Sequence, residues 1–157
     1  MTSPVRLVEL TDANREAVLA LRVHPDQEDF VASVAQSLDD AARHPDANPW
    51  YRAVYAGDEP VGFLMLSWNV VPRPGVLGPW FLWRLLIDAR HQGHGYGRAA
   101  LAEVVRLVRA EGATELLTSH VPGEGGPLPF YLGLGFVPTG EVDGDEPVLR
   151  LVLSPQE

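Results

Sequence analysis

The first third of the chain places its apolar residues at intervals of three and four, the spacing of helices with one buried face. A short β-prone stretch, Val5 to Leu10, comes first. Thr11 or Asp12 is a suitable cap for a helix that runs to about Arg22. Pro25-Asp26 then opens a second helix. The predicted apolar stripe of this second helix comprises Phe30, Val31, Val34, Leu38, Ala41 and Ala42.

Apolar runs typical of strands follow, after a break at Pro45 to Pro49. Trp50 to Ala56 and Val61 to Asn69 flank a turn at residues 57–60, which predicts a hairpin. Residues 71–79 hold three prolines and two glycines and are predicted as a loop. Trp80 to Asp88 is nearly all apolar, as expected of a central strand that is buried on both faces.

The second half of the chain predicts a βαβ unit. A helix from about Gly97 to Glu111 ends at Gly112, and a strand from Glu115 to Val121 follows. This strand and the one at residues 80–88 are expected to be parallel, with a right-handed crossover. The remaining predicted elements are a short helix near Phe130 to Leu134 and strands at Phe136 to Val142 and Val148 to Leu153. The fold class is therefore α/β with a mixed sheet.

Composition narrows the class of protein. A chain of 157 residues, 46% of them hydrophobic, suits a single globular domain spanning residues 1–157. No apolar run approaches the roughly 20 residues that cross a bilayer, and Met1 to Arg6 shows no signal-peptide core. We therefore expect a cytoplasmic protein without a membrane partner. The chain has no cysteine, and its five histidines form no i, i+4 pair, so no metal site is expected.

The net charge of -9 argues against a nucleic-acid partner, because binding to phosphates requires a basic surface. The charge is compatible with a cationic substrate, which a negative surface attracts. Solubility alone also accounts for it.

A glycine-rich loop, Gln92 to Gly97, stands between the central strand and its helix. Its glycines allow a ligand to approach the backbone, and the unpaired N–H groups of the helix start can bind an anion. The triphosphate-binding pattern is absent. Gly95-x-Gly97-x-x-Ala100 satisfies a short dinucleotide pattern, but the next strand ends in Ser119-His120-Val121, without the acidic residue that binds ribose. A turn that binds nothing is the remaining alternative.

Three motifs in order resemble the GNAT N-acetyltransferases. Gln92-x-x-Gly95-x-Gly97 matches their loop signature, the strand segment Leu85 to Asp88 lies just upstream, and Phe130 to Phe136 is similar to their Y-x-x-x-G-F segment. The resemblance covers Leu7 to Leu153. It implies a GNAT fold: a mixed, mostly antiparallel sheet of about six to seven strands with a central parallel βαβ unit and about four helices.

The resemblance also implies acetyl-CoA as co-substrate, a general-acid role for Tyr131, and a homodimer. Main-chain groups of Leu85, Leu86 and Ile87 would contact the pantetheine arm. The pyrophosphate would be held by the loop and helix start, mainly through main-chain N–H groups: Gln92, Gly93, His94, Gly95, Tyr96, Gly97 and Arg98. Relatives often carry an asparagine that contacts the cofactor about seven residues before the tyrosine, whereas this chain has Glu124 near that place.

The chemistry requires a neutral amine, although a free alkyl amine has a pKa of roughly 10. His120, at a predicted strand end, and Glu28, on the predicted second helix, are the candidates for the base that accepts its proton. A main-chain N–H near Leu86 or Ile87 is the expected donor to the developing oxyanion. Tyr131, protonated at neutral pH, is the candidate donor to the departing thiolate.

The amine acceptor is the least determined part. Over the whole chain the resemblance is greatest to the spermine/spermidine (diamine) acetyltransferase branch, which predicts a small-molecule primary amine, with a polyamine as the first candidate. Trp83 stands where such relatives often carry an acid, so Trp83 and Glu28 are the candidate substrate contacts. An antibiotic, an amino-acid derivative or a protein amine are alternative acceptors. A domain that senses acyl-CoA without catalysis is the alternative function.

Overall fold

The structure is a computed structural model that describes residues 4–153. Met1 to Ser3, part of the segment in which the sequence shows no signal-peptide core, lie outside the described residues, as do residues 154–157. Among the described helices, none combines the length and apolar character that crossing a membrane requires.

The described residues form one mixed sheet of seven strands and four α-helices. The strands are β1 (Arg6–Val8), β2 (Pro49–Ala56), β3 (Glu59–Ser67), β4 (Phe81–Ile87), β5 (Glu115–Ser119), β6 (Val137–Asp143) and β7 (Glu146–Val152). The helices are α1 (Arg15–Leu19), α2 (Val34–Arg43), α3 (Tyr96–Ala110) and α4 (Leu128–Gly133). The strand order is β1-β2-β3-β4-β5-β7-β6, and of these ladders the one between β4 and β5 is parallel. The predicted fold class is confirmed.

Helices cover both faces of the sheet. α1 and α2 pack on one face, where Phe63 and Met65 of β3 are buried. α3 and α4 pack on the other face, over Leu64 and Leu66 of the same strand. The alternation along β3 follows from the two-residue period of a strand, and burial on both faces explains why the strand reads as almost continuously apolar.

The predicted hairpin of β2 and β3 and the parallel pairing of β4 with β5 are confirmed. Boundaries shift by one or two residues for most elements, as is usual for helix and strand ends. β5 ends at Ser119, so His120 and Val121 belong to the loop that follows.

The first helix is shorter than predicted, and the prediction that Thr11 or Asp12 caps it is wrong. α1 begins at Arg15 after Asn14. The Asn14 side chain accepts a hydrogen bond from the Thr11 N–H (2.8 Å) and donates one to the Glu9 carbonyl (3.0 Å). These bonds hold residues 11–14 in a turn, because a short polar side chain offers the backbone an alternative to the helix.

The second predicted helix is two elements. Pro25–Gln27 is a single 3₁₀ turn, and α2 begins only after Ser33, whose hydroxyl accepts from the Gln36 N–H (3.1 Å). Residues 28–32 form the loop between them. Glu28 therefore lies on a loop, not on a helix as predicted, and Phe30 does not belong to the apolar stripe of α2.

Candidate active site

A cleft opens where β4 and β5 diverge. Their ladder consists of two pairs, Phe81 with Leu117 and Leu82 with Thr118. The Thr118 hydroxyl donates to the Leu82 carbonyl (2.9 Å) at this last pair. Beyond it the two strands separate, and a cleft of about 830 Å³ lies between them, lined by residues from both sides of the sheet. The remainder of β4 thus borders the cleft.

A β-bulge at Trp83 interrupts the alternation of β4 side chains between the two faces of the sheet. Met65 of β3 pairs with Arg84, and Leu66 pairs with Leu82, so Trp83 is the extra residue. Leu82 packs toward α3, while Trp83 packs toward α1 and α2. The bulge places consecutive side chains, Trp83 and Arg84, toward the helices on one face.

Arg84 reaches α2 and forms an ion pair there. Its Nη2 donates to Asp40 Oδ2 at 2.6 Å, and both side chains are about one-fifth exposed. Burial lowers the pKa of Arg84, while the Asp40 carboxylate and Glu146 act in the opposite direction. The guanidinium also lies 5.4 Å from the centre of the Trp83 ring. The positive charge that Arg84 brings to the cleft is therefore largely compensated by Asp40.

The start of α3 presents free backbone amides to the cleft. Gly93 (φ 84°) and Gly95 (φ 80°) adopt the left-handed conformation that favours glycine. Gly95 is the N-cap, and within the described residues no side chain caps this helix. The first amide that bonds to the N-cap carbonyl belongs to Ala99 (3.0 Å). The amides at residues 96–98 thus lack intrahelical acceptors and form a site suited to an anion.

Gln92, the first residue of the loop signature, uses its side chain within the protein. Its Nε2 donates to the Ile87 carbonyl (2.9 Å) and to Gln27 Oε1 (2.8 Å), and Gln27 Nε2 donates back to Gln92 Oε1 (3.1 Å). The amide pair joins the end of β4, the glycine loop and the 3₁₀ turn before residue 28. Gln92 thus positions the loop.

Asp88, directly after β4, fixes the same region. Its carboxylate accepts from the Arg22 N–H (2.8 Å) and from the Arg90 side chain (2.9 Å). Burial acts to raise the pKa of Asp88, but these hydrogen bonds outweigh it and the pKa is lowered. The aspartate therefore stays ionised and ties the loop to the segment after α1.

Tyr131 is buried beside the point where the strands part. Its ring centre lies 5.3 Å from those of Phe130 and Phe136, both in edge-to-face contact, and the residue is 6% exposed. Burial raises the pKa of Tyr131 to about 12, and a hydrogen bond with Thr118 acts in the opposite direction. The hydroxyl is therefore protonated at neutral pH and lies next to the last pair of the β4–β5 ladder.

Three further polar residues line the cleft. His120 is 5% exposed, and its Nδ1 has no hydrogen-bond partner among the described atoms. Glu28 is exposed on the loop before α2. Glu146, at the start of β7, accepts a hydrogen bond from the Ser119 hydroxyl (3.1 Å) and was missed by sequence reasoning. No motif surrounds Glu146, and only the pairing of β5 with β7 brings it to the cleft.

The cleft collects the predicted site residues with one exception. The residues on its surface are Glu28, Trp83, Leu85, Leu86, Ile87, Gln92, Gly93, Gly95, Tyr96, Gly97, Arg98, His120 and Tyr131. His94 is exposed outside the lining, with its ring 5.6 Å from that of Tyr96. Glu124 is also exposed and outside the lining. Among residues 4–153, no three His, Asp or Glu side chains are grouped to hold a metal ion.

The family model for the acetyltransferase (GNAT) family matches residues 9–136. N-acetyltransferase 8F1 of Rattus norvegicus is 32% identical over 60 residues; the match spans 38% of this chain and only 27% of the rat protein.

Solved structures of acetyltransferases share the fold. The PaiA N-acetyltransferase of Thermoplasma acidophilum in complex with coenzyme A superposes with a TM-score of 0.64 at 13% identity, over 97% of this chain and 99% of that one. The GNAT domain of S. lividans PAT superposes with a TM-score of 0.71 at 16% identity, over 95% of this chain and 89% of that one. A GNAT family acetyltransferase from Elizabethkingia anophelis with acetyl-CoA bound superposes with a TM-score of 0.63 at 13% identity, over 97% of this chain and 100% of that one. The chain belongs to the GNAT acetyltransferase family.

Proposed function

We propose that the protein transfers the acetyl group of acetyl-CoA to a primary amine of a small molecule. One observation carries the proposal: the free amides at the start of α3 and the buried Tyr131 hydroxyl lie on a single cleft, which opens where β4 and β5 part. Such a cleft can hold the phosphates of a donor and expose its reactive end at the same time.

The start of α3 would bind the pyrophosphate of CoA. The amides at residues 96–98 donate no hydrogen bond within the helix, and the helix dipole adds partial positive charge there. Left-handed Gly93 and Gly95 let the ligand approach the backbone. The backbone of Leu85 to Ile87, which β5 leaves unpaired, would bond the pantetheine arm as an additional strand. The T. acidophilum and E. anophelis proteins, which share this fold, carry CoA and acetyl-CoA.

When bound, acetyl-CoA supplies a thioester that the neutral amine attacks, so that a C–N bond forms as the C–S bond breaks. A main-chain N–H near Leu86 or Ile87 would stabilise the negative charge that develops on the thioester oxygen. Tyr131 would give its proton to the departing sulfur. The raised pKa of Tyr131, about 12, keeps its hydroxyl protonated for this role.

His120 is the better supported of the two candidate bases. Its Nδ1 is buried without a hydrogen-bond partner in the described part of the chain, so a lone pair is available when the ring carries its proton on Nε2. Glu28 lines the same cleft from an exposed loop and would accept the amine proton through water. Either residue would return the proton to solvent.

The charges of the cleft favour a cationic acceptor such as a polyamine. Glu28, Asp29 and Glu146 line it, whereas Arg84 is compensated by Asp40 at 2.6 Å. Antibiotic, amino-acid and protein amines are the competing acceptors. The family resemblance adds a homodimer to the proposal, and sedimentation velocity measures the oligomeric state. The composition adds a cytoplasmic location.

Two measurements test the donor and the reaction separately. Acetyl-CoA at millimolar concentration should raise the melting temperature, because a ligand that binds only the folded state stabilises it. CoA release over a panel of amines should then identify acceptors. An unchanged melting temperature would contradict the proposal. A shift with no CoA release from any amine would instead identify a domain that senses acyl-CoA without catalysis.

A further inference from the structure

We infer that Phe30, seated on the turn at residues 123–126, forms a strap across the acceptor side of the cleft and restricts the acceptor to a slender, unbranched amine. The inference rests on the proposed function, since it names which amines that cleft accepts. The strap consists of two segments that are far apart in sequence, Phe30 and the Gly123–Gly126 turn.

The Phe30 ring occupies the space that side chains at two glycines would need. A methyl group built on Gly126 would lie 2.9 Å from Phe30 Cε1 and 3.0 Å from Cδ1, and one built on Gly123 would lie 3.3 Å from Cε1. A side chain at position 126 would overlap the ring, whereas one at position 123 would require the ring to shift by a few tenths of an ångström. The packing thus accounts for glycine at position 126 and favours it at position 123.

The turn itself also depends on glycine. The Gly126 N–H donates to the Gly123 carbonyl (3.1 Å), which closes the turn. Gly123 (φ 142°) and Gly125 (φ 83°) have backbone angles that other residues rarely adopt. A turn in which Glu124 alone carries a side chain thus provides a flat surface for the ring.

The strap joins elements from opposite faces of the sheet. Phe30 precedes α2, which covers one face, and the glycine turn precedes α4, which covers the other. Phe30 and Gly126 both line the cleft between β4 and β5. Their contact therefore joins the two sides of the cleft at the loop that also carries Glu28.

Both ends of the Phe30 loop are anchored. The Gln27–Gln92 amide pair holds its beginning, with bonds of 2.8 and 3.1 Å, and the Ser33 hydroxyl caps α2 at its end. The five residues between these anchors form a short loop that holds the ring at the cleft. A branch next to the acceptor nitrogen would have to displace the ring, whereas a straight chain would pass beside it toward the acidic residues of the cleft.

CoA conjugates test the strap without requiring the natural acceptor. We would measure by calorimetry the Kd of CoA, of CoA joined through an acetyl linker to n-butylamine, and of CoA joined likewise to tert-butylamine. The wild-type protein should bind the straight conjugate at least tenfold more tightly than the branched one. Phe30→Ala should reduce this ratio to below threefold and leave the Kd of CoA within twofold.

Glycine variants supply a matched pair. Gly126→Ala should raise the Kd of both conjugates at least fivefold, because its methyl group pushes the ring into the cleft. Gly133→Ala, where a methyl group would meet no atom within 4 Å, should change neither. If Phe30→Ala fails to fold, Phe30→Leu, which keeps an apolar contact and removes the ring, should show the same loss of discrimination.

The outcomes separate the two proposals. Failure of the wild-type protein to bind CoA would overturn the proposed function. If CoA binds tightly but wild type and the Phe30 variants show the same ratio between the Kd values of the straight and branched conjugates, the strap proposal alone would be overturned. Loss of discrimination in those variants, with Gly133→Ala unchanged, would support it.

Discussion

At the scale of the residue, the Tyr131 hydroxyl can be tested separately from the Tyr131 ring. Tyr131→Phe keeps the edge-to-face contacts with Phe130 and Phe136. The variant should therefore fold, and its Kd for acetyl-CoA should change less than twofold. Loss of a general acid should lower kcat by roughly 10²-fold or more. Steady-state kinetics measure kcat, and calorimetry measures the Kd of acetyl-CoA. Equal turnover in the variant would exclude Tyr131 as the proton donor.

The raised pKa of Tyr131 also predicts how stability depends on pH. Because the pKa is about 12 in the folded protein and 10.0 in the unfolded chain, the unfolded state loses this proton first as pH rises. The tyrosine's contribution is thus complete below pH 10 and is lost as the pH rises toward 12. Between pH 9 and 11 wild type should lose about 1.4 kcal/mol of unfolding free energy relative to Tyr131→Phe, measured by urea unfolding. Parallel pH profiles would contradict the burial of the hydroxyl.

At the scale of the element, the glycine loop predicts a matched pair of variants. Gly95 (φ 80°) and Gly75 (φ 83°) are both left-handed, and a methyl group at either would meet no atom within 4 Å. Gly95→Ala and Gly75→Ala should each cost about 1–2 kcal/mol of stability, from backbone strain alone. Only Gly95→Ala should weaken acetyl-CoA binding, by at least tenfold, because Gly95 precedes the free amides. Equal affinities would place the phosphates elsewhere.

The elements also show where a sequence pattern is sufficient and where it is not. α3 was predictable within one residue because its periodic stripe begins at glycines and ends at Gly112. The second predicted helix failed because Phe30 and Val31 continue the three-and-four spacing of α2, although the Ser33 cap starts the helix after them. The bulge at Trp83 was hidden, since an all-apolar strand gives no sign of a change in alternation.

At the scale of the whole molecule, the two halves of the site differ in how they are encoded. The proposed donor side comes from one local run, from Leu85 to Arg98, whose motifs are visible in the sequence. The proposed acceptor side comes from contacts between distant segments, such as Asp40 with Arg84 and Phe30 with Gly126. Such contacts depend on the folded path of the chain and leave no periodic signal. Family membership therefore explains the donor better than the acceptor.

The overall charge of -9 gives a last prediction, on the rate of substrate capture. A negative field attracts a cationic amine, and salt screens it, with a Debye length of about 10 Å at 0.1 M and about 30 Å at 0.01 M. Raising the salt from 10 to 300 mM should therefore lower kcat/KM for a linear diamine severalfold more than for a monoamine of equal length, with kcat unchanged. Glu146→Gln, inside the cleft, should reduce this salt dependence more than Glu111→Gln, which makes the same charge change outside the cleft lining. Equal salt dependence for the two amines would show that the acidic surface serves solubility and does not select the acceptor.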